Sequence, residues 1–304
     1  MENFIIKKVL RALYDFPKSF RKTCSPKVVM TLLVKNEEEM LEWSFRFHKA
    51  MGVDAFIVTD NGSTDGTSRI IEKYRKKGWV VDAIIDPLEG HYQKELVDRM
   101  IWKAKTVFHA DWIINADGDE FWFSPSGCIK NELSVTRANV LACGMRVMYP
   151  DEGKPFWEWD MAVKSVPSPE SYGLPAYSLF SRQNGKVIHR ADGYLQITAG
   201  NHKVRMLPWI GEESSILVYH YTIRGHRHFV EKMVNGGRQM ELHKGRHGGR
   251  HWRHCYNLYK EGRLDEEYGR VVGRDILPRL KQEGYVFEDV ALCTFLGQIK
   301  KGWD

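Results

Sequence analysis

Short apolar runs alternate with segments of helical periodicity along the chain as far as residue 116. An uninterrupted apolar run at residues 28–34 has the length and character of a strand that is buried on both faces. Residues 40–51 then carry apolar side chains at helical spacing, and Gly52 is placed to end that helix. The same pattern predicts strands at 53–60, 79–86 and 111–116, a helix ended by Gly78, and a longer helix over 91–109.

This regular alternation of strand and helix is typical of an α/β protein with a parallel sheet. In such sheets, ligands bind beyond the carboxyl ends of the strands. Polar residues cluster at three of these ends, and we expect the clusters to meet in one crevice. They are Lys35-Asn36-Glu37, the segment from Asp60 to Thr67, and the segment from Asp117 to Glu120.

The second half of the chain is less regular. Residues 139–150 and 215–223 are predicted strands, but a Pro/Ser/Gly-rich stretch at 167–175 lies between them. There is no internal repeat and no linker long enough to separate autonomous domains. The sequence therefore predicts an N-terminal segment, residues 1–26, followed by a single α/β domain over 27–304.

Composition limits the class of protein. At 304 residues, with 43% hydrophobic and 28% charged residues, the chain is typical of a soluble globular protein. No run approaches 18 apolar residues, so no membrane-spanning helix is predicted. Lys7 and Lys8 fall where a signal peptide needs its apolar centre. Five scattered cysteines indicate reduced thiols. We therefore expect a cytoplasmic protein.

Positive charge is concentrated in two segments. Residues 1–30 hold seven Lys or Arg against two acids, and residues 224–254 hold eight against two. Such basic segments could grip phosphate groups, anionic lipid headgroups or nucleic acid. No recognisable nucleic-acid-binding motif accompanies them, so nucleic acid is not an expected partner.

The first basic segment also has helical periodicity. Its apolar residues recur beside Lys7, Lys8 and Arg11, as in a short basic amphipathic helix. Such a helix either lies on an anionic membrane surface or packs on the body of the protein, and the sequence leaves both open. Its apolar residues are Ile5, Ile6, Val9, Leu10, Leu13 and Phe16.

Three carboxylates follow the fourth predicted strand within four residues: Asp117, Asp119 and Glu120. Charges this close raise one another's pKa unless a metal ion, an Arg or Lys, or water lies among them. If the segment is extended, Asp117 and Asp119 project to the same side and could share Mg²⁺ or Mn²⁺. Gly118 would leave room for a ligand at the backbone. A plain turn is the alternative, but the position at the end of a parallel strand favours a site.

Two common phosphate-binding loops are excluded. A dinucleotide-binding fold needs a glycine-rich loop after the first strand, and residues 34–40 contain no glycine. The chain also has no G-x-x-x-x-G-K-[ST] sequence. A ligand that carries phosphate would have to be held in another way, and a divalent metal on carboxylates is the usual one.

Three segments, "TLLVKNEEEMLEW", "GVDAFIVTDNGSTDGT" and "IINADGDEFW", together resemble the N-terminal half of a family 2 glycosyltransferase of the GT-A fold, of the bacterial cell-surface glycan type. The resemblance covers roughly residues 27–125 and implies a Rossmann-type sandwich whose second half, 126–304, binds the acceptor. It further implies a nucleotide-sugar donor, Mn²⁺ or Mg²⁺, and inversion at the anomeric carbon. By position, the nucleotide-sugar would contact Lys35, Asn36, Glu37, Asp60, Asn61, Asp117 and Gly118, and the metal would contact Asp117 and Asp119.

The resemblance is looser in the second half, where the catalytic base should lie. The family usually offers Glu-Asp or a single Asp, whereas this chain has Asp151-Glu152 in reversed order and Asp192 in "HRADGY". Glu152 and Asp192 are therefore the candidate bases, and either could be an ordinary solvated acid. A late histidine often completes the metal site in such enzymes; His220 is the first candidate and His202 the second.

Trp157 and Trp159 stand beside acids after a predicted strand. Their indole faces could stack on a sugar and form the acceptor wall, or they could belong to a buried aromatic cluster.

Together these observations predict a metal-dependent inverting glycosyltransferase. Its expected partners are a nucleotide-sugar and a glycan or glycolipid acceptor, met in the cytoplasm or at the inner face of a membrane, as in lipopolysaccharide synthesis. A nucleotidyltransferase or phosphohydrolase that uses the same acids is one alternative. A basic protein that binds membrane or nucleic acid without catalysis is the other.

Overall fold

The computed structural model describes residues 2–20, 23–86, 93–242 and 249–303. Its contacts divide these residues into two compact units. The first contains the described residues up to 145 together with 184–218, and the second contains 146–183 and the described residues from 219 onward. The elements are α1 (Glu2–Asp15), β1 (Val28–Val34), α2 (Glu38–Ala50), β2 (Ala55–Asp60), α3 (Thr67–Lys76), β3 (Val80–Ile85), α4 (Gln93–Thr106), β4 (Trp112–Asp117), β5 (Glu120–Phe123), α5 (Ile129–Leu133), β6 (Val140–Met148), β7 (Met161–Val163), β8 (Lys186–Arg190), β9 (Tyr194–Ile197), β10 (Val204–Met206), β11 (Gly211–His220), α6 (His226–Leu242), α7 (Arg250–Lys260), α8 (Leu264–Val271), α9 (Leu277–Gln282), β12 (Val286–Glu288) and α10 (Ala291–Lys301).

The sheet of the first unit has four parallel strands in the order β3-β2-β1-β4. Antiparallel strands β8 and β6 extend it beyond β4, and β11 pairs with β5 and β6. The register places Asp60 opposite Val34 and Asp117 opposite Leu33, so the carboxyl ends of β1, β2 and β4 are level. The predicted α/β sandwich of Rossmann type, with a parallel central sheet, is thereby confirmed.

The core of the first unit lies between this sheet and α4. Val29, Ile57 and Ile113 come from three adjacent strands, and they pack in one buried cluster with Met100 and Ile101 of α4. These strands are buried on both faces, which explains why β1, β2 and β4 read as continuous apolar runs. Burial of one such side chain contributes about 1.5–3 kcal/mol.

The N-terminal segment belongs to the first unit. Its predicted helix is present as α1, and Ala12 and Asp15 on that helix are fully buried. Within the described residues, no helix is both long and apolar enough to cross a bilayer.

The second unit is built on a small antiparallel arrangement. Val147 and Met148 at the end of β6 pair with β7, and β7 pairs with β12. Helices α6, α7 and α8 pack together in this unit. The predicted division of the domain at 125/126 does not coincide with the boundary between the two units. A donor half and an acceptor half therefore remain a prediction.

A buried histidine ties α2 to the strand that follows the acidic segment. His48 is fully buried. Its Nδ1 lies 2.8 Å from the Ser44 carbonyl oxygen, and its Nε2 accepts a hydrogen bond from the Trp122 backbone N–H at 3.1 Å. Only the neutral ring can donate at one nitrogen and accept at the other. Burial lowers the pKa of His48 to about 3, so the neutral ring persists at ordinary pH and holds β5 in place.

We predict that the fold loses stability as the pH falls below about 6.5. Burial also lowers the pKa of His189, to about 4. Between about pH 6.5 and pH 4 the unfolded chain binds protons at His48 and His189 while the folded chain does not. The free energy of unfolding should therefore fall by about 1.4 kcal/mol per pH unit for each histidine. Urea denaturation between about pH 7 and pH 5, a range in which most carboxylates stay ionised, measures this slope.

The variant His48→Gln serves as the control, because it removes one titrating group; burial lowers the pKa of His251 as well. It should reduce the slope by about 1.4 kcal/mol per pH unit, whatever its own effect on stability at neutral pH. A slope that is unchanged in His48→Gln would show that His48 is not kept neutral by the fold.

Candidate active site at the ends of the parallel strands

The predicted polar clusters meet where the order of the parallel strands reverses. β2 lies on one side of β1 and β4 lies on the other. The connections that leave the carboxyl ends of β1 and β4 therefore diverge, and ligands of open α/β sheets bind in the crevice between such connections. Lys35, Asn36 and Glu37 follow β1, and the acidic segment follows β4. The structure thus brings these sequence-predicted residues together at one edge of the sheet.

Hydrogen bonds join the loops that follow β1 and β2. The Asn36 backbone N–H donates to Ser63 Oγ at 2.9 Å, and the Asn36 side chain accepts from the Thr64 backbone N–H at 2.8 Å. The Glu37 N–H donates to Thr67 Oγ1 at 2.8 Å. Asn36 has a φ of 56°, in the left-handed region that Asn tolerates better than most residues. Asn36 therefore shapes the crevice through its backbone and through its side chain.

Asp60 stabilises the second of these loops. It is 3% exposed, and it accepts hydrogen bonds from the Ser63 N–H at 2.9 Å and from Ser68 Oγ at 2.5 Å, one on each oxygen. Beside it, the Asn61 N–H donates to the Val34 carbonyl and extends the β1-β2 ladder. Asp60 also lines a cavity of about 310 Å³ between α3 and β3.

The acidic segment is a turn and not an extended stretch. Asp117 ends β4, Gly118 and Asp119 form the turn, and Glu120 begins β5. The Asp117 backbone N–H donates to Glu120 Oε2 at 3.2 Å and closes the turn. The expectation that Asp117 and Asp119 project to the same side of an extended strand is therefore corrected. The chain leaves the row of parallel strands here, and β5 pairs with β11. We call residues 117–120 the acid turn.

Gly118 is required by a neighbouring side chain. A Cβ atom at Gly118 would lie 2.7 Å from Cγ of Glu37. The room that was expected for a ligand is therefore occupied by Glu37, which reaches across from the end of β1. This contact joins the ends of β1 and β4.

A lysine lies among the carboxylates of the acid turn. Lys186 Nζ, at the start of β8, is 3.0 Å from Asp117 Oδ2 and 2.7 Å from Glu120 Oε1. The side chains of Lys186 and Glu120 are almost fully buried, whereas that of Asp117 is 29% exposed. Burial lowers the pKa of Lys186, but the charges of Glu120 and Asp117 and their hydrogen bonds outweigh burial and raise it. In the structure, the cation that lies among these carboxylates is Lys186.

The acid turn can hold a divalent metal only with help from a ligand. Asp117 keeps a partly exposed carboxylate at the crevice, and Asp119 is 6% exposed. Within the ranges described above, no three His, Cys, Asp or Glu side chains are grouped to hold a metal ion. Mg²⁺ is commonly bound by one or two carboxylates plus the phosphates of a substrate. The residues present fit Mg²⁺ or Mn²⁺ that binds together with a diphosphate.

The structure does not bring Asp192 to this site. β4 and β8 are antiparallel, and Trp112 at the start of β4 pairs with Arg190. The Ala191 N–H donates to the Asp111 carbonyl, so Asp192 lies beyond the amino end of β4, more than about 16 Å from the edge that carries Asp117, at about 3.3 Å per residue. Burial and the charge of Asp15 raise the pKa of Asp192, so it belongs to a charged cluster near α1. As a candidate base at the acid turn, Asp192 is withdrawn.

Glu152, the other candidate base, has both oxygens engaged within the second unit. Its Oε1 accepts from the Tyr268 hydroxyl at 2.7 Å, and its Oε2 accepts from the His226 backbone N–H at 3.2 Å. Glu152 therefore caps the start of α6. It also lines a cavity of about 290 Å³ with Tyr149, Tyr268 and Arg274.

The two tryptophans differ in their surroundings. Trp159 is 2% exposed, and its ring centroid lies 5.4 Å from that of Tyr221, with Nε1 donating to the Lys154 carbonyl. Trp159 is thus part of a buried aromatic cluster, the alternative that the sequence left open. Trp157 is partly exposed, and Lys300 Nζ lies 4.7 Å from the centre of its ring.

The two candidate histidine ligands also have different positions. His220 ends β11 in the second unit and is partly exposed. His202 lies in the first unit, where its Nδ1 is 2.8 Å from the carbonyl oxygen of Gly185. It lines a cavity of about 440 Å³ beside Trp209.

Sequence reasoning missed Lys186, which pairs with two residues of the acid turn. Its only signal was a lysine at the start of the apolar strand "KVIHR". Lys186 and Asp117 are 69 residues apart in the sequence, and the antiparallel pairing of β8 with β4 brings them together.

We predict that Lys186→Met destabilises the protein by about 3–5 kcal/mol, because it leaves Glu120 as a buried charge without its partner. The double variant Lys186→Met with Glu120→Gln should recover most of that loss. Lys130→Met is the matched control, because the ion pair of Lys130 with Asp54 is partly exposed, with an N···O distance of 2.7 Å; it should cost about 0–1 kcal/mol. Urea denaturation of the four proteins measures these differences, and equal losses in the two single variants would contradict the assignment.

No protein-family model and no curated protein sequence matches the chain. Among solved structures, it is similar to a mannosyltransferase from Pyrobaculum calidifontis in complex with GDP-Man and Mn²⁺, at 10% identity and a TM-score of 0.43, over 97% of this chain and 88% of that chain. It is similar to TarS of S. aureus at 13% identity and a TM-score of 0.40, over 78% of this chain; the match spans 43% of the length of TarS. Glucosyl-3-phosphoglycerate synthase from Mycobacterium tuberculosis matches at 13% identity and a TM-score of 0.37, over 74% of this chain and 83% of that one. Similarity at this level carries no argument about function.

Proposed function

We propose that the chain is a glycosyltransferase of the GT-A type, of family 2, that uses a nucleotide-sugar donor. The observation that carries the proposal is the acid turn, Asp117 to Glu120, at the point where the order of the parallel strands reverses. The motifs of residues 27–125 that resemble the family fall at this same edge. A nucleotide-sugar therefore has a crevice of the right type with carboxylates at its end.

In this proposal, residues at the ends of three strands, β1, β2 and β4, hold the donor. The loops after β1 and β2 face the nucleoside, with Lys35, Asn36 and Glu37 nearest, and their mutual hydrogen bonds keep that wall rigid. Asp117 and Asp119 hold Mn²⁺ or Mg²⁺ jointly with the diphosphate. When bound, such a metal neutralises the charge that develops on the leaving diphosphate.

Lys186 has a supporting role in the same site. Its ammonium offsets the charge of Glu120 and also pairs with Asp117, whose carboxylate is partly exposed at the crevice. The acid turn can therefore keep its shape before the donor arrives, and catalysis depends on such preorganised charge. In this respect Lys186 is a positioning residue.

The base and the acceptor contacts in this proposal rest on the resemblance. An inverting transfer is one direct displacement, so it needs a base for the acceptor hydroxyl and no protein nucleophile. Glu152 is the remaining candidate base, and it would have to release the Tyr268 hydroxyl to act. The cavity beside Glu152 has aromatic and charged walls that suit a glycan or glycolipid, and Trp157 is retained as an acceptor contact. His220 is retained as a metal ligand on the resemblance alone.

We expect a nucleoside diphosphate with Mn²⁺ to stabilise the protein against thermal unfolding. At a concentration near 100 Kd, binding to the folded chain adds about 2.7 kcal/mol. The shift should require the metal and should vanish in Asp117→Asn and in Asp119→Ala. Asp275→Ala, at an exposed acid of the second unit, is the control and should keep the shift.

The product then separates this proposal from the alternatives. Transfer of radiolabelled sugar to an acceptor supports it, whereas release of phosphate or pyrophosphate without transfer supports a nucleotidyltransferase or phosphohydrolase. A shift that remains in Asp119→Ala would overturn the assignment of the acid turn.

A further inference from the structure

The N-terminal helix α1 is docked with its polar side inward and its apolar side outward. A surface helix of a globular protein normally turns its apolar stripe to the core and its charges to water. In α1 the arrangement is reversed, as the burial of its residues shows. Such a reversal leaves an apolar surface that a water-facing helix does not need.

Two ion pairs hold the inward side of α1 against α4. Lys8 Nζ lies 2.5 Å from Asp98 Oδ2, and Lys105 Nζ lies 2.6 Å from Asp15 Oδ2. Asp15 and Lys105 are almost fully buried. Ala12, between the two charged residues of α1, is also fully buried. The two paired residues are equally far apart in the sequence of α1 and of α4. Both pairs can therefore form at once, and together they fix the rotation of α1 about its own axis.

The outward side of α1 is apolar from Ile6 to Tyr14. Five side chains cover an arc of about 140°, at about 100° per residue. They form one contiguous row, which we call the outward row. The exposed fractions are 54% for Ile6, 39% for Val9, 60% for Leu10, 53% for Leu13 and 66% for Tyr14.

Cationic side chains border the outward row. Lys7 is exposed. Arg11 and Lys18 each form an ion pair with Asp15, at 3.3 Å and 3.7 Å, and their side chains remain 50% and 48% exposed. Arg11 and Lys18 both lie over the ring of Tyr14. Long basic side chains at the edge of an apolar row can keep their charges at a lipid headgroup while the row enters the acyl boundary.

We propose that the outward row is a membrane-docking surface for anionic phospholipid bilayers. The apolar side chains enter the interface, and Lys7, Arg11 and Lys18 bind the headgroups. Anionic lipid is favoured over a second copy of the chain because residues 1–30 hold seven Lys or Arg against two acids. Two copies joined through this surface would bring like charge together. The surface is independent of the acid turn and of the proposed glycosyl transfer.

Flotation with vesicles tests the proposal on the full chain. Vesicles of phosphatidylcholine with phosphatidylglycerol should carry the protein, and vesicles of phosphatidylcholine alone should carry about tenfold less or lower. The double variant Leu10→Glu with Leu13→Glu should lose at least about tenfold of the binding. The matched control is Val107→Glu with Val135→Glu, which alters two apolar residues that are 59% and 66% exposed elsewhere in the first unit; it should bind like the parent.

A further variant separates docking from a loss of fold. Lys7→Glu changes only an exposed charge, and it should weaken binding to the anionic vesicles while the thermal unfolding temperature stays unchanged. Equal binding to both kinds of vesicle by the parent, or parental binding by the Leu10→Glu, Leu13→Glu variant, would overturn the proposal. So would a parent that is dimeric by light scattering, becomes monomeric in that variant and binds no vesicle. None of these results depends on nucleotide binding, so a failed nucleotide shift leaves this test intact.

Discussion

The ion pairs of Lys186 with Asp117 and Glu120 are the interaction on which the rest of the site depends. Two carboxylates at the start and end of one tight turn repel each other, and one of them is buried. A buried lysine from the neighbouring strand turns that repulsion into attraction. The desolvation of a charged group is costly, and the bonds that Lys186 makes to both partners offset it. The acid turn can then stand at the edge of the sheet with Asp117 still open to the crevice.

The surrounding structure supports this turn from three sides. Glu37 reaches over Gly118 from the end of β1, and His48 holds the backbone of β5 from α2. On the third side, β8 carries the lysine itself. The three supports come from the residue that precedes α2, from α2 itself and from β8, so the turn is held by residues on or next to regular secondary structure. Sites placed on such elements are held more accurately than sites on loops alone.

The fold could be predicted from the sequence because buried parallel strands have a signature of their own. The runs at β1, β2 and β4 are apolar throughout, and the glycines that follow α2 and α3 mark the helix ends. The convergence of the polar clusters followed from the rule for strand ends. The acidic residues themselves could be predicted from the sequence, but their geometry could not. Local composition does not show whether a strand continues or turns, because that depends on which strand the next segment pairs with.

Long-range partners explain what could not be predicted. Nothing in "HRADGY" reveals that the antiparallel pairing of β8 carries Asp192 to the amino end of β4 and Lys186 to its carboxyl end. Nor does "PDEGKP" reveal that Glu152 meets the first backbone N–H of α6. Short peptide patterns report local periodicity, whereas these contacts are decided by which strands and helices become neighbours.

The two ion pairs between α1 and α4 also determine in which direction α1 runs along α4. One pair places a lysine of α1 on an aspartate of α4, and the other places an aspartate of α1 on a lysine of α4. If α1 docked in the opposite orientation, lysine would face lysine and aspartate would face aspartate. The alternating signs therefore favour one direction of α1 along α4 and disfavour its reverse, independently of apolar packing.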